Sequence, residues 1–137
     1  MDDDRDMYNS IALLEVEIRS FSNEGYKVKY DFRKNLISWR DNYMWNNNFM
    51  KSISDSKRDI INKRLPNCGM LEWMRGYNSG LAEKYGRKTS TPGEWEITVV
   101  FDDDTRLKAG ARQNFPIRWN ELKSIIEDTT ECTFRLL

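Results

Sequence analysis

The carboxylates are the side chains of this sequence best placed to do chemistry. Asp102, Asp103 and Asp104 are consecutive. A calcium loop needs oxygen ligands spread around a turn glycine, with a closing glutamate. This run has neither at the required distance, and neighbouring residues at a strand end point to opposite sides. The spacing therefore predicts a plain hairpin turn. Glu15, Glu17 and Glu96 fall on the polar side of predicted strands, and Glu72 lies beside Trp73. Two carboxyl groups at the right separation can run glycosidase-type acid–base chemistry. Lys27, Lys29, Arg106 and Lys108 are expected on the same polar side, however, so cross-strand ion pairs account for these carboxylates.

Cys68 is the candidate nucleophile. It follows Pro66-Asn67, and only Lys63 or Arg64 is near enough in sequence to lower its pKa. The 137 residues contain no histidine, which removes Ser-His-Asp and Cys-His catalysis, histidine-bound zinc and imidazole pH sensing together. Neither Cys68 nor Cys132 belongs to a CxxC pair, and no phosphate-cradling glycine motif occurs. Gly76-Tyr77-Asn78-Ser79-Gly80 reads as a turn. No catalytic residue, metal ligand set or cofactor is expected.

Binding chemistry has more to work with. Net charge is zero, with 22 basic and 22 acidic residues, but the charge is unevenly spread. Residues 1–26 hold two basic and seven acidic side chains, a net −5. Residues 27–64 hold ten basic and four acidic, a net +6. Aromatics interleaved with cations can stack bases and hold phosphates. A nucleic-acid-binding domain would use Lys27, Lys29, Arg33, Lys34, Lys57, Arg58, Lys63 and Arg64, although Tyr30, Phe32 and Trp39 share a core-facing side. Residues 41–50 crowd Tyr43, Met44, Trp45, Phe49 and Met50 among asparagines. Exposed, they form an aromatic and methionine patch of the kind enriched at interfaces. Buried, they form a loop tucked over the sheet edge.

The elements that must position these side chains are legible from periodicity. Leu14, Val16 and Ile18 alternate with Glu15, Glu17 and Arg19, and Tyr26, Val28, Tyr30 and Phe32 alternate with Lys27, Lys29 and Asp31. After an Arg33-Lys34-Asn35 tip, Leu36 to Arg40 returns with Ile37 and Trp39 on one face. Trp95, Ile97, Val99 and Phe101 form a fourth strand, and Arg106 to Ala109 pairs back after the aspartates. Ser54 or Asp55 caps a helix with Ile53, Ile60, Ile61 and Leu65 on one stripe, ended by Pro66 and Gly69. Met70, Trp73, Met74, Tyr77 and Leu81 fit a helical stripe weakened by Gly76 and Gly80. Pro116 opens a final helix bearing Trp119, Leu122, Ile125 and Ile126. The fold class expected is α+β, an antiparallel sheet of about five strands with two or three helices packed on one face. Short turns favour a meander or paired hairpins over βαβ units.

One domain spans residues 1–137, with Gly86 to Gly93 a surface loop, Asp2 to Asp6 a frayed, solvated terminus and residues 1–9 expected as disordered. Two cysteines 64 positions apart are too few for a disulfide-stapled secreted domain, and the acidic start lacks a signal peptide's positive region. A cytoplasmic protein is expected, with no membrane partner.

The segment WEITVVFDDDT, followed by Lys108-Ala109-Gly110, Phe115-Pro116 and Trp119 to Leu122, resembles small uncharacterised proteins of Gram-positive bacteria and their mobile elements. In those a strand ends in an F-D-D/G-T turn, and a G-x-x-x-x-[FY]-P-x-x-[FW]-x-x-[FL] segment opens the last helix. Asp104 stands where glycine is commoner. The resemblance implies an α+β fold and adds no catalytic residue. The function expected is a non-enzymatic protein-binding module. Its sharpest form is a phage-type inhibitor of a bacterial defence system, of the anti-CRISPR kind, whose partner is a defence effector. A nucleic-acid partner for residues 27–64 is the alternative.

Overall fold

The computed structural model describes residues 3–20, 25–41, 48–90 and 93–134. Helix α1 (Asp3–Asn9) leads into strands β1 (Ile11–Arg19), β2 (Gly25–Asp31), β3 (Leu36–Asp41) and β4 (Phe49–Ser52). Helices α2 (Asp55–Asn67), α3 (Met70–Asn78) and α4 (Ala82–Tyr85) follow. Strands β5 (Gly86–Lys88), β6 (Glu94–Phe101), β7 (Arg106–Arg112) and β8 (Asn114–Pro116) precede the last helix, α5 (Trp119–Thr130). Six strands form a sheet in the order β4-β3-β2-β1-β6-β7, and β5 and β8 form a small second sheet. Every pairing is antiparallel. The architecture is the expected α+β with helices on one face, enlarged by one strand of the main sheet, a two-stranded sheet and shorter helices.

The alternation that predicted the strands also decides which side is covered. Leu14, Val16 and Ile18 of β1, Val28 and Tyr30 of β2, Ile37 and Trp39 of β3, and Trp95, Ile97 and Val99 of β6 are all buried. They pack against Ile61 and Leu65 of α2, the apolar residues of α3, and Leu122, Ile125 and Ile126 of α5 in one core. Each such aliphatic side chain contributes roughly 1.5–3 kcal/mol through burial, which is why this side determines the register. The same alternation sends Glu15, Lys27, Lys29, Arg40 and Glu96 to the other side. A one-residue slip would bury them all.

Trp95 anchors the core at the β5–β8 end. Its ring meets Trp73 edge-on at 5.6 Å and Tyr77 at 5.0 Å, and its Nε1–H donates to the Asn114 carbonyl at 2.7 Å. Burying a tryptophan is favourable only when that polar edge is satisfied. The sheet is fastened to α5 by the Tyr30 hydroxyl and Thr129 Oγ1, 2.6 Å apart and fully buried. Thr129 Oγ1 donates in turn to the Ile125 carbonyl at 2.8 Å. The ammonium of Lys51, on the edge strand β4, donates to the Thr130 carbonyl at 3.0 Å. There it satisfies an orphan carbonyl at the negative end of α5.

Several expectations are refined. Ser54, not Asp55, caps α2, accepting from the Lys57 amide at 3.3 Å. Residues 3–9, expected as disordered, form α1, and the Tyr8 hydroxyl accepts the Leu71 amide at 2.8 Å. Gly76, expected to weaken a helix, lies inside α3, because a Cβ there would strike the ring of Tyr85. Leu81 leaves the stripe and is 45% exposed, since α3 stops at Asn78. Pro116 ends β8 rather than opening α5, which starts at Trp119. The aspartates form the expected turn, with Asp104 in the left-handed region at φ 68°. Asp103 Oδ1 accepts both the Thr105 amide at 3.0 Å and its hydroxyl at 2.6 Å, which holds the Asp103 carboxyl below its ordinary pKa.

Candidate binding surface

The face of the six-stranded sheet that no described element covers is a ruled array of charges. Register alignment makes rows across it. One row runs Met50, Ser38, Lys29, Glu15, Thr98, Lys108, and the next runs Arg40, Lys27, Glu17, Glu96, Gly110. Read along the strands instead, Lys27, Lys29 and Arg40 outnumber Asp31 on β2 and β3, Glu15, Glu17, Glu94 and Glu96 outnumber Arg19 on β1 and β6, and β7 carries Arg106, Lys108 and Arg112. The face is banded positive, negative, positive.

Most of these charges neutralise one another across strands. Lys27 Nζ lies 3.4 Å from Glu15, Lys108 Nζ 3.7 Å from Glu96, and Arg19 Nε 3.2 Å from Glu94. Arg112 Nε also reaches Glu94, at 3.6 Å. Pairs of this exposure contribute at most about 1 kcal/mol each. The expected cross-strand pairing of Glu15 and Glu96 is therefore present.

Two positions break the pattern. Lys27 and Arg40 stand directly opposite each other, as do Glu17 and Glu96. Like charges in directly opposed positions destabilise a sheet. Lys27 turns to Glu15, which leaves Lys29, Glu15's own cross-strand neighbour, without a carboxylate. Among the described residues neither Lys29 nor Arg40 makes an ion pair or side-chain hydrogen bond. Lys27, Lys29, Arg40, Ser38 and Glu15 line a concavity of about 460 Å³ at the β3–β4 side of this face, together with Met50, Asn48 and parts of Trp39 and Phe49. Met50 is 65% exposed. The lining thus carries three cations against one carboxylate.

The interface residues expected from sequence divide in two. Tyr43, Met44 and Trp45 lie outside the described residues. Phe49 faces the covered side, stacked on Trp39 at 6.0 Å and 5°, with Lys51 Nζ 4.8 Å from its ring centre. Strand alternation separates it from Met50, which points to the open face. Residues 49–52 are consequently an edge strand rather than a loop laid over the edge.

The eight cations of the nucleic-acid alternative do not share one surface. Lys27 and Lys29 are on the open face. Arg33, at the β2–β3 tip, bonds Asp104 at 3.3 Å and the Asp102 carbonyl at 3.1 Å, and Lys34 is exposed beside it. Lys57, Arg58, Lys63 and Arg64 belong to α2, on the covered side. Arg58 is committed to Asn35 Oδ1 at 2.7 Å and lies over the Phe32 ring, and Arg64 pairs with Asp128 at 2.6 Å. Burial and the neighbouring Lys51 charge pull the Lys57 ammonium below its usual pKa. The aromatics of residues 26–39 all face the core.

Cys68 is 2% exposed and its thiol donates to the Leu65 carbonyl at 3.1 Å. Burial pushes its pKa up to about 11, the opposite of the depressed value a nucleophilic thiol requires. Lys63 and Arg64 do not activate it. Among the described residues no cluster of acidic or sulfur ligands could hold a metal ion, and no helix is long and apolar enough to cross a membrane. Arg40 and Ser38 were missed in the sequence, yet the signal was present: Ile37 and Trp39 facing the core oblige both to face outward. No protein-family model, curated protein or solved structure matches this chain.

Proposed function

We propose that this chain is a non-enzymatic protein-binding module that meets its partner with the open face of its six-stranded sheet. The observation that carries the reading is the pair of cations, Lys29 and Arg40, unneutralised among the described residues, in a concavity that exposed Met50 also lines. A fold that opposes Lys27 and Arg40 at some cost to itself is supported in that choice by a contact made outside the chain. The banded charge favours a protein over nucleic acid. A polyanion running along the basic strands would meet the carboxylate band of Glu15, Glu17 and Glu96 on their flank, and among the described residues the aromatics of the basic span, Tyr30, Phe32, Trp39 and Phe49, pack on the covered side. An inhibitor of a defence effector, the sharpest form of this function, would act in the same way, by covering a surface and turning over no substrate.

The test is affinity capture from lysate of the source cells, run with and without nuclease treatment. Thr98→Trp and Ser38→Trp each place a bulky ring on the open face, where strands tolerate aromatics. Lys63→Glu, on exposed α2, is the control. The expected result is one protein retained by wild type and the control and lost by both blocking variants. Equal retention by the blocking variants, or retention abolished by nuclease, refutes the reading.

A further inference from the structure

We infer that the concavity between β2, β3 and β4 receives an acidic segment of the partner protein, its carboxylates seated on Lys29 and Arg40 and an apolar neighbour against Met50. This rests on the reading above and names the partner's chemistry.

The charge arithmetic of the site points one way. Lys27, Lys29 and Arg40 face it, with Glu15 as the one carboxylate of the lining. Glu15 is held by Lys27 at 3.4 Å. Among the described residues the site is thereby left with two cations that have no carboxylate partner and an internal ion pair that fixes the Lys27 side chain. Lys29 and Arg40 sit on adjacent strands in diagonal positions, because Lys29 opposes Ser38 and Lys27 opposes Arg40. Diagonal positions on an antiparallel pair lie about 7–8 Å apart. That is close to the separation of alternate side chains along one face of an extended strand, which rises about 3.3 Å per residue. An extended segment with carboxylates at positions i and i+2 matches both cations.

The apolar element of the site distinguishes a polypeptide from a phosphate ligand. Met50 is directly opposite Ser38 and 65% exposed. An unbranched thioether at the rim of a charged site fits the adaptable apolar contacts of protein interfaces. A second copy of this chain is a poor occupant. Its acidic band, Glu15, Glu17, Glu94 and Glu96, is already paired with Lys27, Arg19, Arg112 and Lys108. Seating it on Lys29 and Arg40 would break those pairs.

Two-dimensional NMR of the full chain tests the proposal, titrated with the peptide acetyl-Asp-Leu-Asp-Leu-Glu-amide, its Lys-Leu-Lys-Leu-Lys counterpart and an oligothymidylate ten-mer. The acidic peptide should shift the Lys29, Ser38 and Arg40 amides and the Met50 methyl, and leave Lys63 unmoved. Lys29→Glu with Arg40→Glu should weaken it at least about tenfold without changing the rest of the spectrum. The lysine peptide should not bind. Shifts centred on α2, no shift at the open face, or tighter binding of the oligothymidylate at these residues overturns the proposal. Loss of the captured partner in Ser38→Trp and Thr98→Trp but not in the charge-reversed variant would overturn this site while leaving the binding-module reading intact.

Discussion

The hydrogen bond between Tyr30 and Thr129 is the sharpest place to test how the sheet and α5 are joined. Thr129 Oγ1 donates to the Ile125 carbonyl at 2.8 Å, so the bond at 2.6 Å is one in which the tyrosine hydroxyl donates to the threonine oxygen. Both groups are sealed, with relative exposures of 1% and 0%. Tyr30→Phe removes the donor and leaves Thr129 still donating to the helix, so the loss is that of one net hydrogen bond, about 0.5–1.5 kcal/mol. Thr129→Val removes the acceptor and strands a buried phenol. That loss is the desolvation penalty of an unpaired hydroxyl, about 1–3 kcal/mol. The double variant replaces both partners with apolar groups of similar shape and should cost less than the sum of the singles, with a coupling energy of about 1 kcal/mol. Urea unfolding followed by tryptophan fluorescence measures all four corners of the cycle. The ordering expected is Thr129→Val below Tyr30→Phe, with the double variant no worse than Thr129→Val. Strict additivity, or a tyrosine variant less stable than the threonine variant, would show that the tyrosine hydroxyl does not donate to Thr129.

The remaining predictions bear on charge, burial and packing. Arg40→Glu turns the opposed Lys27–Arg40 pair into an opposite-charge pair and should stabilise the fold by a few tenths of a kcal/mol, up to about 1, while weakening partner binding. A stability loss in urea unfolding would contradict the register-based account of the open face. Stability should fall with rising alkali. Cys68 is raised by burial from 9.0 to about 11, and Tyr77, also by burial, from 10.0 to about 12. Above the unfolded value the native state binds more protons than the unfolded chain, so unfolding free energy drops with pH. Stability from Cys68 is complete below pH 9 and lost towards pH 11, by about 2–3 kcal/mol. Cys68→Ala should flatten the pH profile in that window, and an unchanged slope would sink the assignment. Gly76→Ala places a methyl against the Tyr85 ring. It should destabilise by about 1–3 kcal/mol as overpacking, reversing the gain of up to about 1 kcal/mol that alanine brings to an open helix position. Thermal melting reads the sign directly.

The strands were legible because burial on one face writes a period of two into the sequence. Leu14, Val16 and Ile18 against Glu15, Glu17 and Arg19 fix both the element and its orientation, and the structure pairs them in register. What stayed hidden depends on contacts distant in sequence. Phe49–Ser52 has no clean alternation, since Lys51 points inward to reach the end of α5 and Met50 points out. A short edge strand with an inward lysine reads as a loop until its partners are known. Residues 3–9 look like a solvated acidic end because Tyr8, which ties them to Leu71, is one residue among polar ones. Gly76 reads as a helix breaker in isolation and as a necessity beside Tyr85. For the surface, the cations at 27 and 29 were visible in the sequence. Their separation from Lys63 and Arg64, and their union with Arg40, follow only from which side of the sheet each element occupies.

Lysine footprinting of the captured complex reads out whether the open sheet face is where this protein binds. Free and bound protein are treated with an amine-reactive reagent, and modification is quantified by mass spectrometry at Lys27, Lys29 and Lys108 on the open face and Lys63 on α2. Binding should protect Lys29 most and leave Lys63 unchanged. Protection of Lys63 with Lys29 still reactive would place the partner on the helical side and contradict binding at the open face.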